Sequence, residues 1–508
     1  MYEKLMMGVD FGTGGCKVTV LDEEGQITGE AEWSYPTHHP FPGFSEQNPE
    51  DWFNALLECL RQLVEQGLEI SKIRWIALDG STHNAVLLDK DSQVIRPVIM
   101  WTDQRSHKEV EELRRLYGEE IYDITYQQVS TTWTLPQLMW LKNQEPENFR
   151  RIARIMFVKD YIRYLLTDSW ATDFIDAQGS MLCDMTTKQW SHELCALIDL
   201  SPHVLPPIYA PLDIAGKITP EAARKTGLDT GVTLVCGTTD VTAEAFGAGA
   251  IMPGQCILKL ATAGNVNVMT SGPRPSPETL TYSHVVPGLW YTASATSSAA
   301  AAMRWFKDQF GFEYEMQTRL SHSHVYNYID SLAADSPAGS RDLFFHPYLS
   351  GERAPYWDPY LKASFTGIST YHTRGDFARA VMEGVAFSLK DCFRLIEDMN
   401  LDITEFLLIG GGARSDVWTQ IVSDVFGKTV RRPKQTDASF GSALMAGLAM
   451  GVFPSEKEAV NRCVGVGREF TPNPDNHRIY QRQFRLYRTI HDRLESIYHE
   501  MAKEKIEV

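Results

Sequence analysis

The sequence predicts an α/β protein whose second half repeats the organisation of the first. Three observations carry that prediction. Residues 6–11 and 16–21 are apolar or alternating runs on either side of Gly12-Thr13-Gly14-Gly15, the pattern of strand, tight turn and strand. CILKLATAGNVNVMT, residues 256–270, has the same form, and its turn Thr262-Ala263-Gly264 echoes Gly12-Thr13-Gly14. Each hairpin is followed by amphipathic helices and by short apolar runs that end in polar turns, the mixture expected of layered α/β domains.

Asp22-Glu23-Glu24-Gly25 makes the turn after the first hairpin. No helical pattern follows the glycines, which excludes both a P-loop and a Rossmann fingerprint, since each needs its glycine loop to open a helix. Any phosphate bound here sits in a β-hairpin turn. The first helix begins at NPEDW, with Asn48 as N-cap, Pro49 in the first turn and acids next. Trp52, Leu56, Leu60, Leu63 and Val64 recur at helical spacing, and Gly67 closes it. Residues 72–101 read as a strand, a polar loop and a second hairpin turning at Asp89-Lys90-Asp91-Ser92. A polar helical stretch covers about 104–170, with Asp168 and Ser169 turning it, and 201–213 is a proline-rich loop. VTLVCGTTD, 232–240, is a buried strand ending in a polar turn. GAGAIMPGQ then marks a boundary near 245–255, its glycines suiting a hinge. A long helix follows at about 374–399, with Phe377, Val381, Val385, Ser388 and Cys392 along one side. EFLLIGGGARSDVWTQIVSDVFG, 405–427, is a strand, three glycines and a helix capped by Ser415 and stopped at Gly427.

At 508 residues the chain has room for two large domains or three of average size. Hydrophobic residues at 43% and charged residues at 22% describe an ordinary globular protein. Its net charge of −17 disfavours nucleic acid and anionic membrane surfaces as partners. A polyanionic ligand therefore needs local help from backbone N–H groups, a lysine or a bound cation. The eight cysteines show no C-x-x-C spacing, so neither a zinc site nor a redox pair is expected. No apolar run reaches membrane-spanning length and no secretory leader is visible, so a cytoplasmic protein is expected.

Several stretches bear chemistry, each with a plainer structural alternative. Asp10-x-Gly12-Thr13 with Lys17 suits a phosphate chain, because glycines let N–H donors approach, lysine supplies a point charge and a carboxylate can hold Mg²⁺. The alternative is a simple hairpin with a satisfied aspartate. The turn at Thr262 and Gly264 is a second phosphate candidate or an ordinary glycine turn. Gly411, Gly412 and Ser415 stand where a helix start exposes N–H groups to a nucleotide. Asp240 closes a buried strand and is either a proton acceptor for an attacking hydroxyl or a helix cap. Thr82, His83 and Asn84, with Trp101, Thr102, Asp103, Gln104 and Arg105, alternate donors and acceptors beside a tryptophan, as a polyhydroxylated ligand requires. Lys159, Asp160, Asp173 and Asp176 read as solvated or capping residues.

In this order, the motifs resemble the FGGY family of carbohydrate kinases over roughly residues 6–480. They are GVDFGTGGCKVTVLD, MWTDQRS, FVKDYIRYLLTDSWATDFIDAQGS, GTTDVTAEAFGAG, YLSGERAPYWDPYLKASFTGI and LLIGGGARSDVWTQIVSDVFG. The resemblance implies two actin-like (ribonuclease-H-like) domains with the active site in the cleft between them, at 1–247 and 248–485, and a helical tail at 486–508. It implies ATP and Mg²⁺, with Asp240 as general base and as a substrate contact, and Asp10 near the metal. Gly12, Thr13, Gly14 and Lys17 neighbour the phosphates from one domain, Thr262 and Gly264 from the other, and Gly411, Gly412 and Ser415 lie by the adenosine. Thr82, His83, Trp101, Asp103 and Arg105 line the sugar site. The subfamily it looks most like phosphorylates the ketopentose xylulose. Departures are Ser-Thr-His-Asn in the sugar loop, which opens the identity of the sugar, and Ala261 in the second phosphate turn. Gluconate, ribulose, glycerol and other polyols stay open as substrates. A chaperone-like ATPase switch is the rival from another class, and a homodimer is a family-level expectation.

Overall fold

Alternation along the first hairpin decides what lies on each side of the first sheet. Met7, Val9 and Phe11 of Leu5–Gly12 and Val18 and Val20 of Gly15–Asp22 are fully buried against Trp52, Leu56, Leu60 and Leu63 of the helix Pro49–Glu65. Residues of the opposite parity, Met6 and Leu21 among them, pack with Phe440, Ala443 and Leu444 of the helix Ala438–Ala449. The first sheet is therefore covered on its second face by a helix from the far end of the chain. The structure, a computed structural model, describes residues 4–311, 324–465 and 467–504.

The two principal sheets have the same plan. In the first, Leu5–Gly12 pairs antiparallel with Gly15–Asp22, which pairs antiparallel with Ile27–Ser34. On its other side Leu5–Gly12 runs parallel to Ile73–Gly80, which runs parallel to Thr233–Val235 and to Thr238–Thr239, and Ile214–Lys217 closes the edge antiparallel. In the second, Gln255–Leu260, Gly264–Thr270 and Trp290–Thr296 are the antiparallel set. Glu405–Ile409 and Val430–Arg432 are its parallel neighbours, and Arg468–Phe470 is the antiparallel edge. The repeat suspected from two glycine turns is thus a repeat of topology, with the two hairpins in equivalent places.

The helix expected after Asn48 is present and Gly67 ends it with φ +89°, although the Asn48 side chain makes no capping bond. Ser415 caps Asp416–Phe426 by accepting the Trp418 N–H, and Gly427 stops that helix at φ +64°. The long helix runs Arg374–Glu397 with Val381, Val385, Ser388 and Cys392 buried. The second hairpin forms around the Asp89 turn: Leu88 bridges Val94 antiparallel, Asp89 donates its N–H to the Gln93 carbonyl and Ile95 to that of Leu87. Beyond that pairing, Val86–Leu88 also pairs with Arg154–Met156, and Val98–Ile99, further along, with Glu46–Gln47. The stretch 104–170 is interrupted by the strand Arg154–Met156. Residue 485 falls inside one helix, Pro474–Glu504, whose Tyr480 and Tyr487 are buried in the C-terminal core, so the tail from 486 continues a packed element. Residues 505–508 lie outside the described residues. Among the described residues no helix is long and apolar enough to cross a membrane.

The helices Asp240–Gly247 and Ala438–Ala449 cross at glycines. A Cβ on Gly441 would stand 1.9 Å from the Ala243 carbonyl oxygen and 3.0 Å from the Gly247 nitrogen. Gly247, read above as part of a hinge, lies in this backbone-to-backbone contact between the two halves.

Candidate active site

Three carboxylates meet because three parallel strands end together. Asp10 and Asp79 are register partners, and Thr238–Thr239 pairs with Asp79 and Gly80, so Asp240 leaves the sheet at the same edge. Open α/β sheets gather ligands beyond the carboxyl ends of their strands. Asp10 Oδ1 and Asp79 Oδ1 are buried without a hydrogen-bond partner, while Asp79 Oδ2 accepts from Ser442 Oγ at 2.5 Å. Burial, with the charges of Asp240 and Asp437, pushes the Asp10 carboxyl up to about 8. Burial and Asp10 push Asp79 the same way. Asp240 is raised by burial and held back by Lys259. Its Oδ1 accepts the Val241 N–H at 2.8 Å and the Thr82 hydroxyl at 3.4 Å.

Antiparallel register places Lys17 opposite Asp10 on the same face of the first hairpin. Its Nζ lies 2.7 Å from Asp437 Oδ2, a carboxylate at the N-cap of Ala438–Ala449, with both side chains about one-third exposed (31% and 33%). The turn between the strands is tied from several sides. Thr13 Oγ1 accepts from Trp101 Nε1 at 3.0 Å, the Thr13 carbonyl accepts from Gln47 Nε2, and Tyr35 donates to the carbonyls of Gly12 and Gly15. A Cβ on Gly14 would meet nothing within 4 Å, so the tip faces open space, and one on Gly12 would make only ordinary contacts.

In the second hairpin the Thr262 carbonyl accepts N–H groups from Ala299 and Ala301, and the Ala261 carbonyl from Ala300, seating the turn on the start of Ala300–Phe310. Gly264 has a different reason than phosphate approach. A Cβ there would stand 2.7 Å from Thr296 Cγ2 and 2.9 Å from Leu389 Cδ2, so the residue is small because the sheet packs tightly. Gly412 abuts Leu260 at the base of the same hairpin, whereas Gly411 faces open space. The glycine run and the Thr262 turn are therefore neighbours.

The sugar-loop candidates divide. His83 is buried at φ +54°, held by donating its backbone N–H to Asp176 Oδ1 at 2.7 Å while its carbonyl accepts from Thr134 Oγ1. Burial lowers its pKa to about 3, so the ring is neutral, and Nδ1 has no partner. Asp103 and Arg105, by contrast, are committed to each other. Asp103 Oδ1 accepts from the Arg105 backbone N–H and Nε, and Oδ2 accepts from Arg105 Nη2 and the Ser45 N–H. The guanidinium also reaches Glu46 and lies over Phe44 and Trp140. This pair frames the loop that carries Trp101, and none of its charge is left unpaired. The solvated reading of the 159–176 acids is corrected too. Lys159 is fully buried and bridges Asp160, Asp173 and Asp176 at 2.7, 2.9 and 3.1 Å, and through Asp176 this cluster underpins His83. Capping holds for Asp173, which accepts the Ile175 N–H. Asp160 adjoins Lys159, but nothing in the spacing of Asp173 and Asp176 marks them as partners of the same lysine.

The model of the FGGY carbohydrate kinase N-terminal domain matches residues 5–247, and that of the C-terminal domain matches 260–450. The chain belongs to the FGGY family of carbohydrate kinases. It is 31% identical to the xylulose kinase of Bacillus subtilis over 96% of this chain and 97% of that one. To the gluconokinase of the same organism it is 28% identical, over 98% and 97%. Among solved structures it superposes on the ligand-bound xylulose kinase of Lactobacillus acidophilus with a TM-score of 0.89, at 26% identity and covering 98% of this chain and all of that one. The paired sheets are thus the two actin-like domains of an FGGY sugar kinase.

Four charged residues of this candidate site are not among the sequence candidates: Asp79, Glu244, Lys259 and Asp437. Asp79 left a usable signal, since Leu78-Asp79-Gly80 ends an apolar strand as Asp10 does in Val9-Asp10-Phe11-Gly12. Asp437 left only the N-cap pattern common to many helices.

Proposed function

We propose that this FGGY kinase transfers the γ-phosphoryl group of ATP to a hydroxyl of a small ketose, D-xylulose. Asp240 carries the reading: a carboxylate at a strand end, bonded to Thr82 of the sugar loop and grouped with Asp10 and Asp79. Sugar enters beside His83, whose neutral ring and unpartnered Nδ1 are free to bond a hydroxyl, with Trp101 alongside. The triphosphate lies between the Thr13-Gly14 turn with Lys17 and the Thr262 turn, and the adenosine reaches Gly411, Gly412 and Ser415. Asp240 takes the proton of the attacking hydroxyl as the oxygen–phosphorus bond forms and the bond to ADP breaks. The orphaned Asp10 and Asp79 oxygens fit a hard cation that binds through one or two carboxylates, and Mg²⁺ bound there supplies charge neutralisation at the phosphates. The near full-length similarity to xylulose kinases supports the ketose. The gluconokinase relative raises a carboxylate substrate as a second reading. Arg105, the cation such a substrate would need in this loop, is already engaged by Asp103 and Glu46, which favours a neutral sugar.

A coupled ADP-release screen of ketoses, aldonates and polyols with Mg²⁺ tests the proposal. Release stimulated most by D-xylulose is expected. Release independent of any sugar would favour an ATPase switch, and gluconate as the best acceptor would overturn the ketose. Within the same assay His83→Ala should raise the KM for the sugar by about tenfold or more, one or two hydrogen bonds' worth, with the KM for ATP little changed. An unchanged sugar KM would remove His83 from the site.

A further inference from the structure

One buried amide joins the two loops that face the proposed sugar site. Asn84 follows His83 directly and is fully buried. Its Nδ2 donates to the Ser81 carbonyl at 3.0 Å and to Ser81 Oγ at 2.8 Å, and its Oδ1 accepts the Trp101 backbone N–H at 2.6 Å. The partners fix which way the amide points, since a carbonyl only accepts and a backbone N–H only donates. Ser81 in turn donates its N–H to the Phe11 carbonyl at 3.0 Å, on the strand Leu5–Gly12 that leads into the Thr13 turn. Trp101 reaches the turn itself, its Nε1 donating to Thr13 Oγ1 at 3.0 Å. A run of hydrogen bonds thus leads from the residue beside His83, through Trp101, to the hydroxyl at the tip of the first hairpin.

We propose that Asn84 is a positioning residue that couples the sugar site to the phosphate turn, acting through Trp101. The coupling rests on the proposed placing of sugar at His83 and Trp101 and of the phosphates at the Thr13 turn. Sugar bonded to His83 and lying against the indole holds both loops that Asn84 ties together, and the indole N–H then holds the Thr13 hydroxyl. With its oxygen accepting from the indole, that hydroxyl keeps its own proton to donate to a phosphate oxygen. Sugar in place therefore orders a phosphate donor, and by linkage a nucleotide in place favours sugar by the same factor. An asparagine suits the task because one planar amide both donates to Ser81 and accepts from Trp101, which no apolar side chain of its size can do.

The test is the calorimetric affinity for MgADP with and without saturating D-xylulose. In the wild type the sugar should tighten MgADP by about fivefold or more, the usual scale of coupling between two sites. Asn84→Ala should bring that ratio close to one. Because it also leaves the Ser81 carbonyl and the Trp101 N–H unpaired in the core, Trp101→Phe and Thr13→Val are the deciding variants: each cuts only the last link and should bring the ratio down as far. Thr13→Ser, which keeps the acceptor, should restore it. A wild-type ratio in both Trp101→Phe and Thr13→Val overturns the proposal, as does D-xylulose that binds the wild type without changing its affinity for MgADP. A second measurement needs no sugar: amide hydrogen exchange over Gly12–Gly15 in the free protein should be faster in Asn84→Ala and Trp101→Phe than in the wild type, and unchanged exchange in both counts against the tie. If D-xylulose neither binds nor is phosphorylated while the turn still loosens in these variants, the substrate reading has failed and the Asn84–Trp101–Thr13 link stands.

Discussion

Asp240→Asn is expected to lower kcat on D-xylulose by about 10²–10⁴-fold, the usual contribution of a positioned general base. The amide keeps the shape of the side chain and its oxygen can still accept the Val241 N–H and the Thr82 hydroxyl, so the helix start at Asp240 should persist. What disappears is the proposed proton acceptor. Nucleotide affinity should not fall with it. Asp240 is one of the charges that push Asp10 upward, so its removal makes the remaining acids easier to ionise and a cation there no weaker. Steady-state kinetics with both substrates, paired with calorimetric binding of ADP and Mg²⁺, separates these effects. Turnover at the wild-type level would dispose of Asp240 as base.

The fold was legible where local chemistry decides it. The first hairpin, the Gly67 and Gly427 helix stops and the Ser415 cap each follow from a few adjacent residues, and each is in place. Pairing between distant segments was not legible. The Asp89 hairpin is in place, yet nothing in Val86–Leu88 or in Val98–Ile99 says that Arg154–Met156 and Glu46–Gln47 lie along their edges. The site divides along the same line. Asp10 and Asp240 announced themselves as acids closing apolar runs. The commitment of Arg105 to Asp103 and Glu46, and of Lys17 to Asp437 across 420 residues, depends on geometry that spacing does not encode. Charges in a site with several acids and few bases find partners wherever the fold brings them, and sequence distance has no bearing on it.

Gly441→Ala, a change of one methyl group, is the strongest steric test of how the two halves hold the site. At most helix positions the substitution helps: Gly118, within His107–Thr125 with open space where a Cβ would go, should gain up to about 1 kcal/mol as alanine. At Gly441 the same methyl would stand 1.9 Å from the Ala243 carbonyl oxygen and 2.8 Å from its carbon, atoms of backbone that cannot rotate aside. The helices must therefore separate, at a cost of about 1–3 kcal/mol or more. Ala243 is three residues beyond Asp240 on a helix of only two turns, so displacing that crossing displaces the proposed base. A misplacement near 1 Å costs on the order of 10²-fold in rate. Gly441→Ala should thus lower both the melting temperature and kcat, while Gly118→Ala raises the first and leaves the second alone. If Gly441→Ala instead behaves like Gly118→Ala, the crossing is loose, and Asp240 is not positioned by the contact between the halves.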